Sequence, residues 1–167
     1  MDGKVSSNTR GLVSLRIAVG ALFLIFAQYK VLGTQFTLGG GFQFWIQRFL
    51  EQGAYPFMVN VLRNFVLPHA TVIAFIVAYG ELAIGLGLVL GVWVRAASMC
   101  GLVFMLILLF SSNYPGADAP LWQYFGASLD HLVLALCFGA FIIGDAEAVL
   151  SLPRYVRRRR GPAIHHV

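Results

Sequence analysis

Apolar residues in this chain neither alternate nor recur at amphipathic spacing; they run almost unbroken over segments of roughly 20 residues, the length of helix that crosses a bilayer's hydrocarbon core. The first such segment predicts a span over residues 11–30, with an apolar centre from Ile17 to Ala27 and with Arg10, Arg16 and Lys30 toward its ends. Its basic flank resembles that of a signal peptide, but no convincing small-residue cleavage site follows, so it is read as a retained helix. Residues 70–110 are apolar nearly throughout, and one helix of that length would be roughly twice as long as a bilayer is thick. The chain must therefore fold back, and Gly91-Val92-Trp93-Val94-Arg95 is the natural hinge, giving spans 70–91 and 95–111. A cluster of loop formers, from Ser111-Ser112-Asn113 to Pro120, separates these from a fourth span over 122–144.

The segment between the first two spans, residues 31–69, has a different pattern. Three glycines, Gly39, Gly40 and Gly41, make a turn, and Phe42 to Gly53 then mixes Phe44, Trp45, Ile46, Phe49 and Leu50 with Gln43, Gln47, Arg48 and Glu51. Such a mixture predicts a short amphipathic helix at the head-group level, where tryptophan and tyrosine collect. A second short helix is expected from Pro56 to Val66, ending ahead of Pro68 because a proline disfavours helical geometry in the residue before it.

Composition agrees: of 167 residues 59% are hydrophobic and 11% charged, where a soluble domain carries about 25% charged residues. The fold class that follows is all-α, an integral membrane bundle of four transmembrane helices over residues 1–152, with the amphipathic helices in the first extracytoplasmic loop. Residues 153–167 form a basic tail. The net charge of +5 does not indicate nucleic acid, because the basic residues sit at the edges of apolar runs, where they report topology. Four spans place Lys4, Arg10, Arg16, Arg95, Arg154 and Arg157 to Arg160 on one side and leave Lys30, Arg48 and Arg63 on the other. Both termini are thus expected in the cytoplasm, in a multi-pass cell (inner) membrane protein whose tail meets anionic lipid head groups.

Candidate chemistry is confined to a few polar positions. Glu81 lies eleven residues into the second span, roughly 16 Å down and near the bilayer midplane, so it must face the bundle and either pair with a base or stay protonated. Arg16 is the expected partner, with snorkelling to the head groups as the alternative. Asp130 and His131 make a second polar island near the outer surface, where Gln28, Tyr29, Lys30 and His69 are also expected; an outer pocket of acid, base and phenol is one reading, an Asp130–Lys30 or Asp130–backbone anchor the other. Gly87 and Gly91 have the small-xxx-small spacing of close helix packing. Cys100 and Cys137 lack any zinc or CxxC spacing and read as small core residues, a redox pair being the lesser alternative. No metal, heme or nucleotide site is indicated.

The stretch from Glu81 through Gly85, Gly87 and Gly91 to Arg95 resembles the signature of the DoxX/DoxD family, an intramembrane glutamate on a glycine-rich helix followed by an arginine opening the next. Arg16 to Phe23, ending at Lys30, is similar to that family's first helix, and Ser128-Leu129-Asp130-His131 with Gly144-Asp145 to its last. The amphipathic first loop is closer to the DoxD-like layout. This resemblance implies a four-helix membrane subunit of a redox-linked, quinone-associated complex that oxidises thiosulfate or a thiol, with a protein partner subunit or a second copy of the chain beside it. Glu81, Asp130 and His131 would then be the catalytic residues, and Lys30, Tyr29 and Arg16 would contact the quinone or pair helices. Two other readings stay open: a non-catalytic membrane anchor or assembly subunit for a soluble enzyme, and a small proton-linked transporter using Glu81.

Overall fold

The computed structural model describes residues 7–144, 146 and 147, and all of its regular structure is helical. Lys4, Asp145 and the basic tail over 153–167 with Arg154 and Arg157 to Arg160 lie outside the described residues. Helix α1 covers Ser7–Leu32, α2 Gly41–Gln52, α3 Pro56–Val61, α4 Ala70–Leu90, α5 Val94–Ser111, α6 Leu121–Gly126 and α7 Leu129–Ile143. Among these, α1, α4 and α5 are long and apolar enough to cross a membrane, and α7 is a shorter apolar helix of 15 residues.

The four apolar helices form a ring. Helix α1 runs antiparallel along α4, α4 joins α5 through a tight turn, α5 packs along α7, and α7 meets α1 more sparsely. The close approach of α1 to α4 depends on Gly20: a β-carbon there would fall 2.8 Å from Leu88 Cβ and 3.0 Å from the Val89 backbone nitrogen. Between α5 and α7 the corresponding position is Gly101, where a β-carbon would lie 2.3 Å from ring carbons of Phe138. Phe138, wholly buried, also meets Phe23 of α1 edge to face at 5.3 Å between centroids. The α4–α5 turn uses Gly91 in the left-handed region, with the Val92 N–H donating to Gly87 O, and leaves Trp93 82% exposed. Gly87 faces Ala97 across this hairpin, so Gly87 and Gly91 serve the turn between α4 and α5.

At the opposite end, the short helices cap the bundle. Helix α2 buries Phe42 and Ile46, one turn apart, and exposes Phe44 and Trp45. Helix α3 starts on Pro56, whose fixed φ suits a first helical position, and passes into a π-helical turn over Leu62–Val66, closed by Leu67 N–H on Leu62 O. Proline 68 has no N–H to carry the helix on. Two backbone bonds, Tyr55 N–H to Phe110 O and Tyr114 N–H to Gly53 O, tie the loop before α3 to the end of α5.

The core is correspondingly split. One buried cluster, including Val19, Phe23, Ile84, Leu88, Met105 and Phe138, fills the half of the bundle toward the α4–α5 turn. The other joins Phe36, Phe42, Ile46, Met58 and Leu62 from the capping segments to Ala70, Ala74 and Ala78 of α4. The fourth segment differs from a continuous helix over 122–144. It breaks after Gly126, where Ser128 leaves helical geometry and its hydroxyl accepts a bond from Asn113 Nδ2, which also bonds Ala127 O. Glycine is a poor helix former, and the Asn113 contacts satisfy the polar groups that a break exposes.

Gly101→Ala is expected to lower the melting temperature of the detergent-solubilised protein, by an amount corresponding to about 1–3 kcal/mol of overpacking. A Phe138→Leu background should reduce that loss, and equal losses in both backgrounds would show that the Gly101–Phe138 approach is not what the substitution disturbs.

Candidate functional site

Lys30 stands in the last turn of α1 and Glu81 at the middle of α4, and the antiparallel register brings Lys30 Nζ to 2.5 Å from Glu81 Oε1. Glu81 belongs to the one stripe of α4 that faces inward, Ala70, Ala74, Ala78, Glu81, Ile84, Gly85 and Leu88, spaced three and four residues apart. Its small members admit the capping segments and α1, so the carboxyl sinks into the bundle and the side chain is only 6% exposed. The lysine side chain is 16% exposed, and its ammonium also lies 5.0 Å from the centroid of Phe36, which packs edge to face on Phe42. The pair therefore sits between the two halves of the core, roofed by aromatic rings. A charge in this setting is tolerable only when matched and hydrogen-bonded. Lys30 satisfies Oε1, whereas Oε2 is buried with no hydrogen-bond partner among the described residues.

Arg16 does not pair with Glu81. It lies fourteen residues before Lys30 on the same helix, roughly 21 Å away along the axis, and at the level of the α4–α5 turn. There its guanidinium is fully buried and Nη1 donates to Ala146 O at 2.7 Å, with the Glu147 carboxylate acting on its charge. The physical reason is register: α1 passes α4 antiparallel, so the residue level with Glu81 comes from the far end of α1. Arg16 thus neither snorkels nor meets the acid, and fastens the start of α1 to the segment after α7.

The other expected site residues are dispersed. Asp130 and His131 lie in the first turn of α7, the acid 73% exposed at a helix N-terminus, where a negative charge is favoured. His131 Nδ1 is 3.3 Å from Asp130 Oδ1 but is not aligned for a hydrogen bond, and neither residue bonds Lys30 or Glu81. Tyr29 is 55% exposed, its ring edge-on to Phe36 at 6.3 Å. Gln28 and His69 are exposed, His69 Nδ1 lying 2.9 Å from Phe65 O. The structure thus joins acid and base but leaves the phenol and imidazole outside, and Lys30 is committed to Glu81 in place of Asp130. Cys100 and Cys137 are free thiols, Cys100 on the exposed perimeter. Among the described residues, no three His, Cys, Asp or Glu side chains gather as metal ligands.

One grouping has no counterpart in the sequence pattern. Tyr55, Tyr114 and Tyr124 meet at the capped end, with ring centroids 4.9 to 6.4 Å apart and Phe110 edge-on to Tyr55. Tyr124 Oη donates to Gly116 O at 2.6 Å, and burial with the two neighbouring phenols pushes the Tyr55 phenol up from its ordinary value. Three tyrosines from separate segments, two in loops and Tyr124 in α6, carry no periodic signal, and only the tertiary fold unites them.

Comparison with known proteins gives one result. The family model described as DoxX matches residues 11–113, which takes in α1 from Gly11 onward and α2 to α5, with the Lys30–Glu81 pair and the α4–α5 turn, and stops before α6 and α7. The likeness noted at Ser128 to His131 and at Gly144-Asp145 lies beyond the matched residues. No curated protein and no solved structure matches the chain.

Removing one partner of a buried pair strands the other, at a cost of about 3–5 kcal/mol, whereas replacing both by apolar groups is often neutral. Lys30→Met should therefore lower the melting temperature in detergent more than Lys30→Met with Glu81→Met. A double variant no more stable than Lys30→Met would refute the reading of Lys30 as the counter-charge of Glu81.

Proposed function

The chain belongs to the DoxX family, and on that premise we propose that it is a membrane subunit of a quinone-linked oxidoreductase, with the Lys30–Glu81 pair as the place where a quinone head group is held. The observation that carries this reading is the buried carboxylate oxygen Oε2, left without a partner beside an ammonium that already neutralises the acid. The donor set suits the ligand: an ammonium with protons to spare can donate to a carbonyl oxygen, and a carboxylate can accept from a hydroxyl. A quinone bound there would supply two-electron carrier chemistry. Glu81 would take or return a proton at Oε2, Lys30 would hold the carboxylate ionised and orient it, and Phe36 would keep water from the pair. Thiosulfate or a thiol remains the proposed source of electrons, through a partner subunit.

We further propose that the end of the bundle carrying the α4–α5 turn faces the cytoplasm across an inner membrane. Arg10, Arg16 and Arg95 lie toward that end, and Arg48 and Arg63 toward the capped end, in the sense of the positive-inside bias. In a background without Cys100 and Cys137, Asp118→Cys should react with a membrane-impermeant maleimide in intact spheroplasts and Val92→Cys only after permeabilisation. The reverse labelling would invert the topology.

The functional reading is tested by extracting quinone from protein purified in mild detergent. Wild type should carry it, and Glu81→Gln should lower retention about tenfold, a loss of about 1.4 kcal/mol, with Glu81→Asp intermediate. Folded wild-type protein free of quinone would overturn the proposal and leave the anchor reading in its place.

A further inference from the structure

A second polar site lies at the other end of the molecule, away from the Lys30–Glu81 pair. A cleft of ≈ 340 Å³ opens there, lined by Arg95 from the first turn of α5 and by Phe141, Ile143, Gly144 and Glu147 from the end of α7 and the segment after it. That volume is within the range of small-ligand sites. Its walls have opposite charges: Arg95 and Glu147 are both exposed, and among the described residues they form no ion pair with each other. Arg16, the other cation near Glu147, is fully buried with Nη1 on Ala146 O, so it does not line the cleft. The cleft floor is Phe141, 1% exposed, while Ile143 at its edge is 87% exposed. Trp93, 82% exposed in the turn just before Arg95, marks the same level as a membrane–water boundary. A separate anionic and cationic group at head-group depth, beside apolar surface running toward the bilayer interior, complements a zwitterion that is itself attached to hydrocarbon.

We propose that this cleft binds the head group of an aminophospholipid, with Arg95 on the phosphodiester, Glu147 on the primary ammonium and the acyl chains passing over Ile143. An arginine fork matches phosphate oxygens better than any other side chain. Glu147 supplies the selection: its exposed carboxylate can accept a hydrogen bond from a primary ammonium, which a quaternary ammonium cannot donate and a head group without a cation does not offer. The site is independent of the quinone reading, since it shares no residue with it.

The experiment is native mass spectrometry of delipidated full-length protein titrated with phosphatidylethanolamine, phosphatidylglycerol or phosphatidylcholine, and separately with soluble phosphoethanolamine. Phosphatidylethanolamine should bind about tenfold more tightly than the other two lipids, and soluble phosphoethanolamine far more weakly. Arg95→Gln should weaken all three lipids, Arg95→Lys should retain part of the binding, and Glu147→Gln should remove the preference for phosphatidylethanolamine over phosphatidylglycerol. Equal binding of the three lipids by wild type, an unchanged preference in Glu147→Gln, or phosphoethanolamine binding as tight as the lipid would each overturn the proposal, the last by assigning the cleft to a soluble phosphoamine. If Arg95→Gln or Glu147→Gln fails to fold, the wild-type lipid series and Arg95→Lys still decide.

Discussion

An ammonium and a carboxylate brought together inside a bundle of apolar helices dictate much of what surrounds them. Neither Lys30 nor Glu81 could be held at that depth alone, because the cost of desolvating a lone charge exceeds what apolar packing returns at one position. Their pairing fixes how far α1 is slid along α4, and that register in turn brings Gly20 against Leu88. The pair also requires small neighbours. Ala74 and Ala78, wholly buried on the same face of α4, leave room for Phe36 and the capping helices to close over the lysine. One electrostatic constraint thus accounts for an alanine stripe, a close helix crossing and an aromatic roof.

Much of the architecture is readable from hydropathy, because the bilayer imposes a length on each crossing helix. The hinge at Gly91 to Arg95 was legible as well, since a charged residue and a left-handed glycine have few places to sit. What could not be read was register. The depth of Glu81 along its span points it into the bundle, but depth along one helix does not reveal which residue of an antiparallel neighbour lies level with it, so the sequence points to Arg16 where the structure has Lys30. Lys30, at the end of α1, reads from the sequence as a span boundary, a partner of Asp130 or a quinone or helix-pairing contact, and in the structure it is the counter-charge of Glu81. The interruption between Gly126 and Leu129 is hidden for a related reason: an apolar run conceals a break when the group that stabilises it, here Asn113 bonding Ala127 O and the Ser128 hydroxyl, comes from another segment. The tyrosine grouping at Tyr55, Tyr114 and Tyr124 is tertiary in the same sense.

The family match and the packing divide the molecule along the same line. Residues 11–113 contain the ion pair, its roof and the α4–α5 hairpin, whereas α7 contributes the aromatic wedge, Phe138 against Gly101 and Phe23, that closes the remaining face of the ring. Arg16 links the two parts, reaching from the matched first helix to the carbonyl of Ala146. Such a bond from a fully buried guanidinium fixes the segment that follows α7 against the start of α1.

The brevity of α7 has a mechanical consequence. Fifteen residues of helix reach about 22 Å, against a hydrocarbon layer of about 30 Å, so lipid beside this face must either thin or lean on the exposed rings of Trp122 and Phe125 in α6. The molecule is therefore lopsided toward its solvent of lipid, full height along α1 and α4 and low along α7. A membrane stores elastic energy around such a low flank, in proportion to the height that lipid there must give up.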